Sequence, residues 1–244
     1  MEVYWLEQNE ADLPTADDWL SPNEQALLNV MRFAGRRSDW RLGRWTAKNA
    51  LALYFMYLNL HADSQLLATI EIRPASTGAP EAYFSDQPAA ASISLSHRAG
   101  VAACAITMPG VELGCDLEIV QPRSDAFVAD YFTTAEQSFI AQAPVADRWR
   151  LLTMLWSAKE SALKALHEGL RLDTRSVMVS PGDAVFNLQG WCPMQVRHAD
   201  GRIFCGWWQH ADSIVRTVVA APSSNAPIRL RLQDYVPDAV SVCT

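Results

Sequence analysis

The amino-acid sequence predicts an α+β protein made of two halves of similar plan. Helical periodicity comes before strand-like alternation in residues 21–119, and the same order returns in residues 125–220. The halves meet near residues 121–124, which predicts an N-terminal lobe over residues 1–120 and a C-terminal lobe over residues 121–244. No convincing sequence repeat links the halves, so their similarity is predicted for the architecture alone.

The first half begins with a strand predicted at residues 3–6 and a well-marked helix start. Ser21 is a favourable N-cap, Pro22 suits the first helical position, and Glu24 completes a capping box. Apolar periodicity predicts a second helix over residues 38–60. The rest of this half is predicted to contain turns around residues 74–80 and strands at residues 92–96, 101–107 and 113–119.

The second half repeats this order. A short helix is predicted at residues 125–131, a capping box at Thr133-x-x-Glu136 opens another, and a longer helix over residues 148–167 ends near Gly169. Strands are predicted at residues 177–179, 184–188, 203–208 and 214–220. Neither half has a glycine-rich phosphate loop, which disfavours the dinucleotide-binding and P-loop classes of enzyme.

Composition and charge restrict the compartment and the partners. Half of the 244 residues are hydrophobic and the net charge is −7, so nucleic acid is not expected as a partner. The five cysteines include no C-x-x-C pair, which indicates free thiols in a reducing compartment. No signal peptide is visible and no apolar run approaches the ~20 residues of a membrane span. A soluble, cytoplasmic protein is expected, and two lobes in one chain are compatible with a monomer.

Two carboxylates lie on one face of the strand predicted at residues 113–119. Because side chains alternate along a strand, Asp116 and Glu118 point the same way, with Cα atoms about 7 Å apart. Such a pair favours a cation between its members, and magnesium takes one or two protein carboxylates together with phosphate oxygens. A solvated strand end with two acids also explains the pattern, so D-x-E alone leaves both interpretations open.

A second polar group lies on the helix predicted over residues 148–167. Glu160 and Lys164 are i,i+4 neighbours, and Trp156 is one turn before Glu160. A surface ion pair beside a buried tryptophan explains this segment by itself. Taken with the acidic pair, Glu160 would complete a magnesium site, and Lys159 and Lys164 would neutralise a bound pyrophosphate.

Together these residues resemble the paired signature of 4′-phosphopantetheinyl transferases of the surfactin-synthetase-activating type. The signature is Gly114-x-Asp116-x-Glu118 followed, about forty residues later, by Trp156-Ser157-x-Lys159-Glu160-Ser161-x-x-Lys164. Three further segments are similar to that family: the basic segment 36–48, Gly78-Ala79-Pro80, and Ser94-Leu95-Ser96-His97-Arg98. The likeness extends from about residue 36 to residue 179 and covers the last sixty or so residues poorly.

The resemblance implies two pseudo-symmetric α+β lobes with coenzyme A, the substrate, in the cleft between them. Asp116, Glu118 and Glu160 would hold Mg²⁺. Glu160 would also help to deprotonate a serine of an acyl or peptidyl carrier protein, and Lys164 would assist the departure of 3′,5′-ADP. The contacts with coenzyme A that the resemblance implies are Arg36 or Arg37, Arg44, Lys48, Ser96, His97, Lys159 and Lys164.

Two other functions fit part of the pattern. A magnesium-dependent phosphohydrolase or nuclease would use the same acids and lysines, although the negative net charge disfavours a nucleic-acid substrate. A non-catalytic coenzyme A-binding protein would keep the lobes but would have no chemical need for both Glu160 and Lys164. The basic segment 36–48 also fits the solvated face of an amphipathic helix, and His97 also fits a capped turn.

Overall fold

The protein has the α+β fold that the sequence predicts. The computed structural model describes residues 1–58, 67–168, 172–182 and 190–232. Within these ranges, the α-helices are α1 (Pro22–Val30), α2 (Ala34–Tyr57), α3 (Asp125–Tyr131), α4 (Thr134–Gln142) and α5 (Arg148–Ala165). None of these helices is long and apolar enough to cross a membrane.

The strands of the described ranges form two larger sheets and one small one. The strands of the first half are β1 (Tyr4–Asn9), β2 (Ile70–Pro74), β3 (Pro80–Phe84), β4 (Gln87–Pro88), β5 (Ser92–Arg98) and β6 (Val101–Thr107). Those that follow are β7 (Glu112–Ile119), β8 (Val177–Pro181), β9 (Cys192–His198), β10 (Ile203–Ala211), β11 (Ile214–Ala221) and β12 (Ile228–Arg229). The sheet orders are β12-β1-β6-β5, β7-β11-β10-β9-β8 and β2-β3-β4.

The two larger sheets share one plan. In the first, β1 pairs antiparallel with β6, β6 forms a hairpin with β5, and α2 packs on the sheet. In the second, β7 pairs antiparallel with β11, β11 forms a hairpin with β10, and α5 packs on the sheet. From here on, the first half means the sheet that contains β1 with α1, α2 and β2–β4, and the second half means the sheet that contains β7 with α3, α4 and α5. Each half therefore runs from a strand through helices to a sheet closed by a hairpin.

Strand pairing crosses the predicted boundary between residues 120 and 121. Strand β7 precedes this boundary but pairs with β11 of the second sheet. Strand β12 follows it but pairs in parallel with β1 of the first sheet. Each large sheet thus contains one strand from the other side of the boundary, and the division into lobes by residue number stays a prediction.

A buried ion pair occurs at the same place in each half. In the first, Glu24 near the start of α1 accepts a hydrogen bond from a backbone N–H of β2 at 3.1 Å and lies 2.5 Å from Lys48 Nζ on α2. In the second, Glu136 near the start of α4 accepts from a backbone N–H of β8 at 3.1 Å and lies 3.0 Å from Lys159 Nζ on α5. Each glutamate thereby ties a helix start, the long helix and a strand together.

The paired lysines identify a local sequence repeat, which corrects the expectation that the halves share none. Lys48 ends the run Trp45-Thr46-Ala47-Lys48, and Lys159 ends the run Trp156-Ser157-Ala158-Lys159. Four residues are too few to be distinctive in a sequence of this length. The repeat is recognisable because each lysine meets the capping-box glutamate of its own half.

Local signals predicted the starts of four of the five described helices and most strands correctly; α2 was predicted from residue 38 and begins at Ala34. Both capping boxes form, at Ser21 with Glu24 and at Thr133 with Glu136, and α3 has the predicted bounds. Strands β2 and β3 were missed because Pro74, Gly78 and Pro80 were read as turn residues, and β9 was missed altogether. The strand predicted at residues 184–188 lies outside the described residues.

The end of α5 differs from the prediction. The helix ends at Ala165, and His167 turns the chain with a left-handed φ of +58°. Gly169, which the sequence analysis expected in that role, lies outside the described residues. Because an L-residue with a side chain rarely adopts this conformation, the turn at His167 was not visible from propensity.

Candidate active site

The edge strands β5 and β7 of the two large sheets meet side by side. An edge strand has unpaired backbone groups that need partners when they are buried. Two hydroxyls of β5 supply them: Ser94 Oγ accepts from the Cys115 N–H at 2.9 Å, and Ser96 Oγ accepts from the Leu117 N–H at 3.1 Å. These bonds fix the acid-bearing strand β7 against the first sheet.

Gly114 allows helix α5 to lie directly on β7. A Cβ atom at residue 114 would lie 1.7 Å from the Ser161 carbonyl oxygen and 2.9 Å from the Ala165 backbone nitrogen, so no side chain fits there. The close approach brings Glu160 and Lys164 of α5 next to the acids of β7. The glycine in Gly114-x-Asp116-x-Glu118 is therefore required by the close packing of α5 on β7.

Asp116 is buried and both of its carboxylate oxygens are occupied. Oδ1 accepts from Ser96 Oγ at 2.9 Å and from Lys164 Nζ at 2.8 Å, and Oδ2 accepts from Ser157 Oγ at 2.9 Å. The Ser157 hydroxyl also lies 2.8 Å from Thr217 Oγ1 on β11. The carboxylate is thus fixed by β5, by α5 and, through Ser157, by β11.

Glu118 is partly exposed and has three donors around it. Its Oε1 accepts from Trp156 Nε1 at 3.1 Å. Its Oε2 accepts from Arg123 Nη2 at 3.2 Å and lies 3.5 Å from Arg98 Nε. Neither Arg98 nor Arg123 was predicted as a site residue, since the first stands at the end of a strand and the second in a short connection.

Glu160 lies close enough to the acidic pair for their charges to interact. Burial raises its pKa to about 7, repulsion from Asp116 and Glu118 adds to the increase, and Lys164 opposes it. Its Oε1 is buried and has no hydrogen-bond partner among the described residues. A carboxyl group whose pKa lies near neutrality is suited to take a proton at neutral pH.

The three carboxylates offer the hard oxygen donors that magnesium prefers. The unpartnered Glu160 oxygen and the mutual repulsion of the three acids are both conditions that a bound cation would relieve. In the described part of the chain, however, no group of three His, Cys, Asp or Glu side chains has the geometry to hold a metal ion as it stands. Arginine and lysine side chains now neutralise two of the acids.

Lys164 links the acids to a cavity between the halves. Its ammonium group donates to the Cys115 carbonyl at 2.9 Å as well as to Asp116. Burial disfavours its charge, but attraction from Asp116 and other neighbours outweighs this, and the pKa of Lys164 is raised. The cavity, of about 250 Å³, is lined by Lys164, His167, the turn at residues 77–80 and part of β5.

Residues 112–217 match the family model of the 4'-phosphopantetheinyl transferase superfamily. The matched segment begins at β7 and ends within β11, so it contains Asp116, Glu118, Glu160 and Lys164. The match supports assignment to this superfamily of transferases. No curated protein matches the chain.

Three residues that were predicted to contact coenzyme A have other partners in the structure. Lys48 and Lys159 are fully buried, and each holds the glutamate of its own half. Lys48 Nζ also donates to the carbonyls of Trp19 and Leu67, and Lys159 Nζ to those of Thr174 and Val177. The Ser96 hydroxyl serves β7 and Asp116. Full burial corrects the predictions for Lys48 and Lys159 in favour of structural roles, whereas the contact of Ser96 with coenzyme A stays a prediction.

The remaining predicted contacts with coenzyme A lie on or near α2 and at the end of β5. Arg37 Nη1 donates to the Leu28 carbonyl at 2.5 Å near the end of α1. Arg44 stacks on the Trp40 ring and has its Nε 3.8 Å from Glu24. Arg36 is exposed, and His97 is more than half exposed with Nε2 3.8 Å from Asp39. Of this group, Arg36 and His97 are the side chains most open to a ligand.

Proposed function

We propose that this chain transfers the 4′-phosphopantetheine group of coenzyme A to a serine of an acyl or peptidyl carrier protein and releases 3′,5′-ADP. The observation that carries the proposal is the partly buried carboxyl of Glu160 beside Asp116, Glu118 and Lys164, all within the segment that matches the transferase superfamily. The surfactin-synthetase-activating type is the proposed subgroup, because one chain supplies both sheets and the seam between them.

The proposed reaction needs a base, a cation at the diphosphate and a stabilised leaving group. The serine Oγ forms a bond to the β-phosphorus of coenzyme A, the bond from that phosphorus to the bridging oxygen of 3′,5′-ADP breaks, and the serine proton passes to the Glu160 carboxylate. A serine hydroxyl is a weak nucleophile without such a base. Lys164 donates to the oxygen that leaves with 3′,5′-ADP, where negative charge develops.

Magnesium is the proposed metal, and Asp116, Glu118 and Glu160 would hold it. When bound, Mg²⁺ would polarise the phosphate oxygens and offset their charge. The chain itself orients these acids: Ser96 and Ser157 fix Asp116, and Trp156 fixes one oxygen of Glu118. The cavity next to Lys164 is the proposed position of coenzyme A between the halves.

The test is mass spectrometry of a panel of apo carrier proteins incubated with the chain, coenzyme A and Mg²⁺. We expect at least one fatty-acid, polyketide or peptide-synthetase carrier to gain a phosphopantetheine group. E160Q should reduce the rate by about 10²–10⁴-fold, the usual contribution of a general base. E168Q is the matched control, because Glu168 is an exposed carboxylate just beyond the same helix and should leave the rate unchanged.

Two results would contradict the proposal. One is a panel in which no carrier gains mass while a known transferase loads the same carriers. The other is release of 3′,5′-ADP from coenzyme A at the same rate with and without carrier, which would instead support the phosphohydrolase. Action in the cytoplasm as a monomer stays a prediction, and size-exclusion chromatography with light scattering measures the oligomeric state.

A further inference from the structure

Glu118 is paired with two arginines whose role the proposed reaction does not explain. Arg123 Nη2 donates to Glu118 Oε2 at 3.2 Å, and Arg98 Nε lies 3.5 Å from the same oxygen. Arg98 comes from the end of β5 in the first half, and Arg123 from the connection that leads to α3. Two cations from separate segments therefore converge on one oxygen of one acid.

Arg123 is held in place by more than this ion pair. Its guanidinium carbon lies 5.1 Å from the centre of the Phe127 ring, and its side chain is 20% exposed. Its Nε is buried without a hydrogen-bond partner in the described part of the chain. A planar guanidinium with an unused N–H donor can bind a second anion and still stack on the aromatic ring.

The site is close to electrical balance before any ligand binds. Its three carboxylates are those of Asp116, Glu118 and Glu160, and its three nearby cations are those of Arg98, Arg123 and Lys164. A divalent ion that enters this cluster alone must compete with the arginines and leaves an excess of positive charge. A diphosphate that enters with the ion offsets that excess.

We propose that Arg123, assisted by Arg98, is an exchangeable counter-ion of Glu118. When a divalent ion takes Glu118, Arg123 moves to the diphosphate of the incoming substrate. The exchange makes metal and diphosphate binding cooperative, because each ligand releases the partner that the other requires. The identity of the substrate as coenzyme A rests on the proposed function, whereas the exchange itself requires only a divalent ion and a diphosphate.

The test is titration of Mn²⁺, followed by the loss of its free EPR signal, for the wild type, R123Q and R123K. We expect R123Q to bind Mn²⁺ alone about tenfold more tightly than the wild type, a gain of ~1.4 kcal/mol, since one competitor for Glu118 is gone. Pyrophosphate or coenzyme A should tighten Mn²⁺ binding to the wild type but have little effect on R123Q. R123K, which keeps a cation without the planar fork, should lie between the two.

R175Q is the matched control, because Arg175 is an exposed arginine whose ion pair is with Asp173 and not with Glu118. It should bind Mn²⁺ as the wild type does, with and without diphosphate. Thermal melting of R123Q and R123K in EDTA checks that both variants are folded before titration. If one variant is not folded, the other still tests the exchange.

The inference is overturned if R123Q binds Mn²⁺ alone no more tightly than the wild type. It is also overturned if pyrophosphate and coenzyme A tighten Mn²⁺ binding to R123Q as much as to the wild type. Cooperativity with pyrophosphate but not with coenzyme A would support the exchange and contradict the proposed substrate. The two proposals therefore fail on different results.

Discussion

The two halves of the molecule share one arrangement of strands and helices but carry different side chains at matching positions. The β5–β6 and β10–β11 hairpins both turn through two residues with positive φ, which sets the same register in each sheet. By that register, Leu6 and Gln8 of β1 occupy the positions of Asp116 and Glu118 of β7. The first half thus has an apolar and a neutral side chain where the second half has two acids.

The long helices differ at the matching positions. Aligned on the shared tryptophan and lysine, Asn49 stands at the position of Glu160 and Leu53 at that of Lys164. Leu53 packs in the same apolar cluster as Leu6. The first half therefore has two apolar and two uncharged polar side chains where the second half has four charged groups.

This comparison separates the contacts that stabilise both halves from the charged groups that form the candidate active site. Both halves keep the buried glutamate–lysine pair that joins helix starts to strands. The second half also places three carboxylates together, and burial with the repulsion from Asp116 and Glu118 raises the pKa of Glu160 to about 7. Charges gathered in this way cost stability in the absence of a ligand, as is common at functional sites.

Breaking the buried glutamate–lysine pair of either half should have the largest effect on stability. The loss should be similar in the two halves. K48M and K159M each leave a buried glutamate without its cation, so we expect a loss of about 3–5 kcal/mol in the free energy of unfolding. Urea denaturation measures both. K164M, at a partly exposed lysine on the same helix, is the comparison and should cost clearly less. Equal losses at all three sites would contradict a special structural role for the buried pairs.

Filling the contact at Gly114 should have the next largest effect and should separate the halves. Tyr4 stands at the matching position of β1, so the first half tolerates a large ring where the second has none. G114A forces α5 away from β7, with an expected loss of about 3 kcal/mol and of ordered contact between Lys164 and Asp116. Thermal melting measures the loss. G43A, where a Cβ has open space, should be neutral or stabilising.

The pH dependence of stability should reveal the crowded acids. In the folded protein the pKa of Glu160 is raised to about 7, whereas in the unfolded chain it has its ordinary value near 4.5. Between these two pH values the folded protein keeps a proton on Glu160 that the unfolded chain has released. Its contribution therefore becomes less favourable as pH rises from about 4.5 to 7. In EDTA, we expect E160Q to gain roughly 1–2 kcal/mol relative to the wild type across this range, allowing for the partial exposure of Glu160. If the difference in the free energy of unfolding between E160Q and the wild type does not change with pH, the pKa of Glu160 is not raised.

The smallest expected effect is at the end of α5. His167 holds a left-handed φ of +58°, which glycine adopts without a steric cost. H167G should raise the free energy of unfolding by about 0.5–1 kcal/mol, and melting curves detect a change of this size. E168G, at the next residue, should not stabilise the protein. Destabilisation by H167G would mean that the side chain contributes more than its backbone strain costs.

Signals that act within a few residues were readable from the sequence. Ser21 with Glu24 and Thr133 with Glu136 predicted both capping boxes, because a cap is completed within one turn of helix. The spacing of Asp116 and Glu118 predicted their common face for the same reason. The apolar alternation of residues 101–107 predicted β6 with its observed bounds.

Partners that lie far apart in the sequence were decided by the tertiary structure alone. Lys48 and Lys159 looked like phosphate ligands because both are cationic, yet their depth depends on helices packed on sheets, which the sequence does not display. Arg98 reaches Glu118 only because β5 meets β7 at the seam of the two sheets. The local sequence determined which charged and polar side chains this protein has and which face of their own helix or strand they occupy. Tertiary packing determined which of these side chains contact an acid, lie in the core or line an open cavity.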